Sequence, residues 1–312
     1  MSDDQHSPVA ARRFLHCCYC CRDADAATRF FCDVLGLELQ MRSTADRVDG
    51  RQMGFPGDVE TDACFVYDRR GPRVSPAIEV QAWIDPPTVG QPYAAAHDVG
   101  LQALGIGVPD LDAALERLAG SGSVVLGRTD AASPISPTSA IVRDPTGVII
   151  DVVESRTAGE DTRMTHLRAT CSDLDRSVAW YVALGFDVTD EHRRVRLPGE
   201  PFDIDGAATA SVARLRLPDE PFGLVLVEWH DPPSTGVPYD VGNHAGLYRF
   251  AIGVDDARAA YDALVRAGLA VLGPPELVEL PGTNVPEMWI AFLADPDGMT
   301  IELVERPRSA FR

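Results

Sequence analysis

The sequence predicts an α+β fold built from four βαβββ modules. Three observations carry that reading. The chain repeats itself in two halves, each half divides again, and every quarter runs from a period-2 strand through an Asp into a helical pattern. His16, Asp23 and Gly36 of the first half recur as His166, Asp173 and Gly185 of the second. Trp83-Ile84-Asp85-Pro86-Pro87 returns as Trp229-His230-Asp231-Pro232-Pro233, and Gly90, Pro92 and Tyr93 return as Gly236, Pro238 and Tyr239. Gly100-Leu101 with Ile106-Gly107-Val108 matches Gly246-Leu247 with Ile252-Gly253-Val254, and Asp144-Pro145-Thr146-Gly147 matches Asp295-Pro296-Asp297-Gly298.

Each element has a local reason. Asp23, Asp110, Asp173 and Asp256 stand where an Asp side chain caps a helix N-terminus. Apolar residues follow at helical spacing: Phe30, Phe31 and Val34; Leu111, Ala114, Leu115 and Leu118; Leu174, Val178, Tyr181 and Leu184; Tyr261, Leu264 and Val265. Gly36, Gly120, Gly185 and Gly268 suit the left-handed residue that ends a helix. Strands are expected at Ala77–Trp83, Ser139–Arg143, Val148–Val153, Ala213–Leu217, Leu224–Trp229, Met288–Leu293 and Met299–Val304. The organisation expected is a tail over 1–14, one domain over 15–156, a polar linker over 157–163, a second domain over 164–307 and a tail over 308–312.

Composition narrows the function. A formal charge of −19 repels phosphate backbones and anionic lipid, so no nucleic acid and no membrane is expected as partner. The start of the chain is polar and lacks the apolar core of a signal peptide, which reads as cytoplasmic. Seven cysteines, four of them at Cys17, Cys18, Cys20 and Cys21, have neither zinc-ribbon spacing nor the spread of a disulfide framework, and read as reduced thiols. Strand alternation puts His16, Cys18 and Cys20 on one face, with Cys17, Tyr19 and Cys21 on the other; His166, Arg168 and Thr170 share the matching inner face. Cys18 and Cys20 read as small core residues, or as a soft ligand or nucleophile beside His16.

Four βαβββ modules with His-initiated first strands and Asp-Pro-x-Gly turns resemble the vicinal oxygen chelate superfamily of glyoxalases, bleomycin resistance proteins and extradiol dioxygenases. The resemblance spans nearly the whole chain. It implies two glyoxalase-like domains, each a curved mixed β-sheet cup with helices outside, acting as monomer or homodimer. It also implies a small-molecule substrate or ligand and a divalent metal (Fe, Mn, Ni, Co or Zn, which the sequence does not distinguish) on the inner wall, or no metal in some members.

Mapped onto this sequence, the family's ligand positions are filled unevenly. His16, Glu79 and Asp151 match in the first half, with Ala103 at the remaining place; His166 and Glu302 match in the second, with Val225 and Arg249 between them. With consecutive modules paired, which needs no long crossover, the expected metal set is His16, Glu79 and Asp151. Pairing the first module with the fourth instead gathers His16, Glu79 and Glu302 with Arg249 alongside. Glu79, detaching from the metal, and His166 are the candidate acid–base groups. Arg249 and Arg168 suit a carboxylate, phosphate or phenolate guest, and Trp83 and Trp229 a flat one. Phe292 stands where extradiol dioxygenases carry a Tyr, and no His follows His244, so typical ring cleavage is not expected. The function expected is a divalent-metal-dependent lyase, isomerase or oxygenase acting on a small oxygenated molecule. The alternative is a metal-free protein that binds or sequesters one. His6, His97, His192, His230 and His244 carry no usable signal.

Overall fold

The computed structural model describes residues 11–155, 161–279 and 287–306. It contains the four modules. The first is β1 (Arg13–Cys21), α1 (Ala24–Arg29), β2 (Glu38–Asp49), β3 (Asp58–Tyr67) and β4 (Ala77–Asp85). The second is β5 (Gly100–Val108), α2 (Leu111–Gly120), β6 (Val124–Thr129), β7 (Ser139–Arg143) and β8 (Ile149–Glu154). The third is β9 (Arg163–Thr170), α3 (Leu174–Leu184), β10 (Asp187–Pro198), β11 (Ala207–Arg216) and β12 (Gly223–Asp231). The fourth is β13 (Gly246–Val254), α4 (Ala257–Arg266), β14 (Glu276–Glu279), β15 (Glu287–Ala294) and β16 (Thr300–Glu305). β1 and β9 thus begin inside the expected tail and linker; residues 1–10 of that tail, 157–160 of that linker and the expected C-terminal tail 308–312 lie outside the described residues.

All four helices start as the sequence implies: Asp23, Asp110, Asp173 and Asp256 each accept a hydrogen bond from a backbone N–H of the first turn. α1 is shorter than expected and continues as a π-helical turn over Phe30–Val34. Gly185 takes the left-handed position at the end of α3 (φ 110°). Gly120 does not: α2 runs through it, Ser121 stays right-handed, and Gly122 turns the chain at φ 89°. Val265 is exposed rather than part of the apolar stripe.

The modules form two curled mixed sheets of eight strands, ordered β14-β15-β16-β13-β1-β4-β3-β2 and β10-β11-β12-β9-β5-β8-β7-β6. The first sheet therefore joins modules one and four, the second modules two and three. Consecutive pairing, expected because it avoids a crossover, is not what the structure adopts. The reason lies in the repeated segments 86–99 and 232–245, which carry the chain from one sheet to the other and back. They interlock where they pass: Val89 bridges to His244, Asp98 to Thr235, and Tyr93 stacks on Tyr239 with centroids 4.2 Å apart. Both segments open with a cis Asp-Pro bond, Asp85-Pro86 and Asp231-Pro232.

One apolar core joins the outer faces of both sheets to the four helices. Phe14 of β1 sits at its centre, against Phe250 of the same sheet and against Phe186 and Phe222 of the third module. Cys17, Tyr19 and Cys21 point into this core, while Cys18 and Cys20 point into the first cup, as strand alternation requires. Among the described residues no helix is long and apolar enough to cross a membrane.

The repeated Asp-Pro-x-Gly turns also tie the sheets together. Asp144 Oδ1 accepts from the backbone N–H groups of Thr146, Gly147 and Val148, and its Oδ2 accepts from the Tyr19 hydroxyl at 2.6 Å, across the sheet boundary. Asp295 repeats the arrangement with Asp297, Met299 and the Tyr181 hydroxyl. Asp144→Ala is expected to lose about 3 kcal/mol, since several donors to a buried carboxylate are left unpaired at once. Denaturant unfolding measures this, and a loss too small to resolve would mean that the turn holds without its carboxylate.

Candidate functional site

Each cup carries one buried cluster of charged groups on its inner wall. In the first cup His16 comes from β1, Glu79 from β4, Arg249 from β13 and Glu302 from β16, four neighbouring strands of one sheet. Arg249 Nε donates to Glu302 Oε2 at 2.9 Å, and its Nη2 donates to Glu79 Oε2 at 3.1 Å. His16 Nε2 lies 3.2 Å from the same Glu302 oxygen and 3.4 Å from the same Glu79 oxygen. Arg249, Glu79 and Glu302 are all nearly inaccessible to solvent. Burial alone would raise the Glu302 carboxyl, but Arg249, with His16 beside it, holds it down to about 2. Burial likewise opposes charge on Arg249, and the Glu79 and Glu302 carboxylates outweigh it, so the guanidinium stays protonated well above its ordinary range.

The second cup holds a smaller cluster. Arg168 on β9 grips Asp151 on β8 with two parallel bonds, Nε to Oδ2 and Nη2 to Oδ1, both 2.9 Å. His166 Nε2 lies 3.2 Å from Asp151 Oδ2, and its Nδ1 lies 2.9 Å from the Thr165 hydroxyl. Asp151 sits well below the usual carboxylate range: burial pushes it up, but Arg168 and then His166 prevail. Burial lowers His166, only partly offset by Asp151, so its imidazole is neutral at pH 7. Gly105, opposite His166 in the β5–β9 ladder, gives the ring its place, because a Cβ there would stand 2.2 Å from Nδ1.

The expected metal set is therefore divided. Asp151 belongs to the second sheet and does not meet His16 and Glu79, because its module pairs with the third and not the first. The arrangement with module one against module four is the one formed: His16, Glu79 and Glu302 converge with Arg249 among them. Glu79 faces a guanidinium, and His166 faces a carboxylate. Trp83 and Trp229 are buried, packed on Phe55 and Phe202 at centroid distances of 4.9 and 5.4 Å. Cys18 Sγ lies 3.5 Å from Cys20 Sγ and donates to Gln81 Oε1, and burial pushes the Cys18 thiol far up, so it is no ready nucleophile.

The donors present do not fit a divalent ion. In the first cup the imidazole nitrogen and two carboxylate oxygens that would bind it are those already facing Arg249. An ion about 2.1 Å from those oxygens would share them with a buried guanidinium, placing two cations side by side at low dielectric. In the second cup both Asp151 oxygens are committed to Arg168, while Ala103 and Val225 offer no donor. Among the described residues no group of three His, Cys, Asp or Glu is arranged to hold a metal.

The profile of the glyoxalase/bleomycin resistance protein/dioxygenase superfamily matches this chain twice in tandem, over residues 15–135 and 163–303. The chain belongs to this superfamily. Maize glyoxalase I has the same fold, with TM-score 0.66 and 20% identity over 96% of this chain and 93% of that one. A protein of Bacillus subtilis subsp. subtilis str. 168 with a provisional dioxygenase designation gives TM-score 0.63 and 14% identity over 95% of this chain and 86% of that one. At such identities the likeness is one of fold. Among curated proteins no match is found.

Both clusters make stability acid-sensitive. Glu302 and Asp151 titrate lower in the folded chain than unfolded, so their contribution is complete above their ordinary values of 4.5 and 3.8. It is lost as pH falls toward about 2. Asp295 acts with the opposite sign: burial raises it to about 6, so its effect is a decline in stability as pH rises from 3.8 to 6. Urea midpoints are therefore expected to drop steeply only below about pH 4. A flat profile from pH 5 to 2.5 would contradict the buried pairing.

Proposed function

We propose that this protein is a metal-independent small-molecule-binding member of the superfamily, in which an arginine stands where a divalent ion would act. This is the alternative that the sequence left open beside a metal-dependent lyase, isomerase or oxygenase. One observation carries it: Arg249 bonds at once to Glu79 and Glu302, across the donors a metal would need. Arg168 on Asp151 supports the same reading in the second cup. Both cups also keep a guanidinium nitrogen free. Arg249 Nη1 and Arg168 Nη1 are buried with no hydrogen-bond partner among the described residues, as are the indole N–H groups of Trp83 and Trp229. Buried donors without acceptors are costly, and an oxygen-bearing ligand relieves that cost.

In this reading the carboxylates and His16 orient Arg249, and the cup walls exclude water from its free face. The test is elemental mass spectrometry of the purified chain after exposure to Zn, Ni, Co, Mn and ferrous ions and removal of excess. No stoichiometric metal is expected. One ion per chain, lost in His16→Ala, would overturn the proposal and restore the metal-dependent enzyme.

A further inference from the structure

The hairpin joining β10 to β11 shuts the second cup from one edge of its sheet to the other. β10 and β6 are the opposite edge strands of that sheet. Yet the hairpin tip, 199–206 with a tight turn at Glu200–Phe202, lies against β6 and β7. Pro201 packs so closely on β6 that a Cβ at Gly127 would stand 2.8 Å from the Pro201 Cα. Phe202 and Ile204 turn into the cup and are buried with Ile141, Val225 and Trp229, while Asp203 and Asp205 face solvent. The Phe202 ring lies 5.6 Å from the Arg168 guanidinium and 5.4 Å from the Trp229 ring. Beneath it remains a recess bordered by Gln102, Arg143, Ile149 and Arg168, with room for about one water.

The tip is a self-contained unit. Gly199 N–H donates to the Gly206 carbonyl at 2.8 Å, and the Phe202 and Ile204 N–H groups donate to the Gly199 carbonyl at 2.9 and 3.1 Å. Among the described residues no backbone hydrogen bond runs from 199–206 to β6 or β7. The polar tie to that edge is Arg143 Nη2 to Asp203 Oδ2, 3.3 Å long with the Asp203 side chain 63% exposed, and such solvated pairs are weak. Lifting the tip therefore breaks no backbone bond and uncovers only Pro201, Phe202 and Ile204. The first cup differs. Its equivalent tip, 50–57, is closed by the same bond, Gly50 N–H to the Gly57 carbonyl at 3.1 Å, but Gly242 N–H also fastens the Met53 carbonyl at 3.0 Å.

We infer that 199–206 is a flap and Phe202 an internal plug, holding the second cup shut until the flap lifts and a ligand replaces the Phe202 ring beside Arg168. The ring face over a buried guanidinium is what makes the plug fit, since it offers that cation a partner while the cup is empty. The inference rests on the proposed function only for the cup being a binding site. Opening itself needs no ligand.

The experiment is thiol labelling of the full chain carrying Ile141→Cys, whose side chain lines the recess beneath Phe202. Iodoacetamide is the probe, and peptide mass spectrometry separates this thiol from the native ones. Rates are taken in urea below the unfolding transition. The expected result is labelling through an opening that urea does not accelerate, the signature of a local motion. Gly127→Val should speed it about tenfold, by wedging against Pro201 from the far edge of the cup. Gly127 is not at positive φ, so the backbone accepts the side chain. Asp203→Asn should speed it about threefold by removing the tie to Arg143. Asp203 is exposed, and Asn tolerates its left-handed φ of 59°, so this variant keeps the test decisive if Gly127→Val does not fold. Labelling only through global unfolding, with its full urea dependence, would overturn the inference, as would rates that neither variant changes. Either failure leaves the metal-free reading standing, whereas stoichiometric metal would overturn that reading and leave the flap.

Discussion

Arg249→His is expected to turn the first cup into a divalent-metal site. The substitution removes the buried cation and frees Glu79 Oε2, Glu302 Oε2 and His16 Nε2, the three atoms that now face it. It also adds an imidazole from β13, at the position where the family resemblance places a ligand. Two nitrogens and two carboxylate oxygens suit Zn, Co or Ni. The expected result is one Co(II) per chain with visible d–d absorption, absent in the parent and lost again when His16→Ala is added. Metal should also raise stability, by about 2.7 kcal/mol at a free concentration a hundred times the Kd. Arg249→Ala is the informative control. It exposes the same donors without the fourth, and leaves two buried carboxylates facing each other, so weaker binding and a less stable apo protein are expected. If Arg249→His folds but takes up no more metal than the parent, the guanidinium is not what excludes the ion.

Local chemistry was legible in the sequence, and long-range pairing was not. Asp23, Asp110, Asp173 and Asp256 announce four helix starts because a cap is a contact within three residues. Strand alternation correctly sorts His16, Cys18 and Cys20 from Cys17, Tyr19 and Cys21, because the period of a strand depends only on the backbone. Module pairing depends on where segments 86–99 and 232–245 run, and their repeated Gly, Pro and Tyr residues say that they are alike, not that they interlock. The turn motif alone groups Asp151 with His16, while its partner Arg168 lies two residues beyond His166. Gly105 is a usable signal in the sequence: the matching residue in the first sheet is Ala251, opposite His16, and only a glycine leaves room for the His166 ring as it lies. Gln102 and Arg143, which line the recess of the second cup, sit in unremarkable strand sequence, and no pattern marked them.

Asp151→Ala is expected to destabilise the protein by about 3–5 kcal/mol, because it strands the Arg168 charge in a cup that water does not reach. Arg168 is 1% exposed and Asp151 fully buried, so neither charge has solvent to fall back on. His166 loses its Nε2 partner in the same step. The size of the effect measures the cost of an orphaned charge, not the worth of the ion pair. The two are separated by Asp151→Leu combined with Arg168→Met, which removes both charges and fills the space with apolar atoms that Ile141 and Phe202 can pack against. The double variant is expected to recover most of the loss, which would show that the cost lies in the orphaned charge and that the pair itself adds little net stability. Urea unfolding of the parent, the single and the double variant decides it. A single-variant loss below about 1 kcal/mol, the value of a solvated surface pair, would mean that water enters the cup and solvates the Arg168 guanidinium.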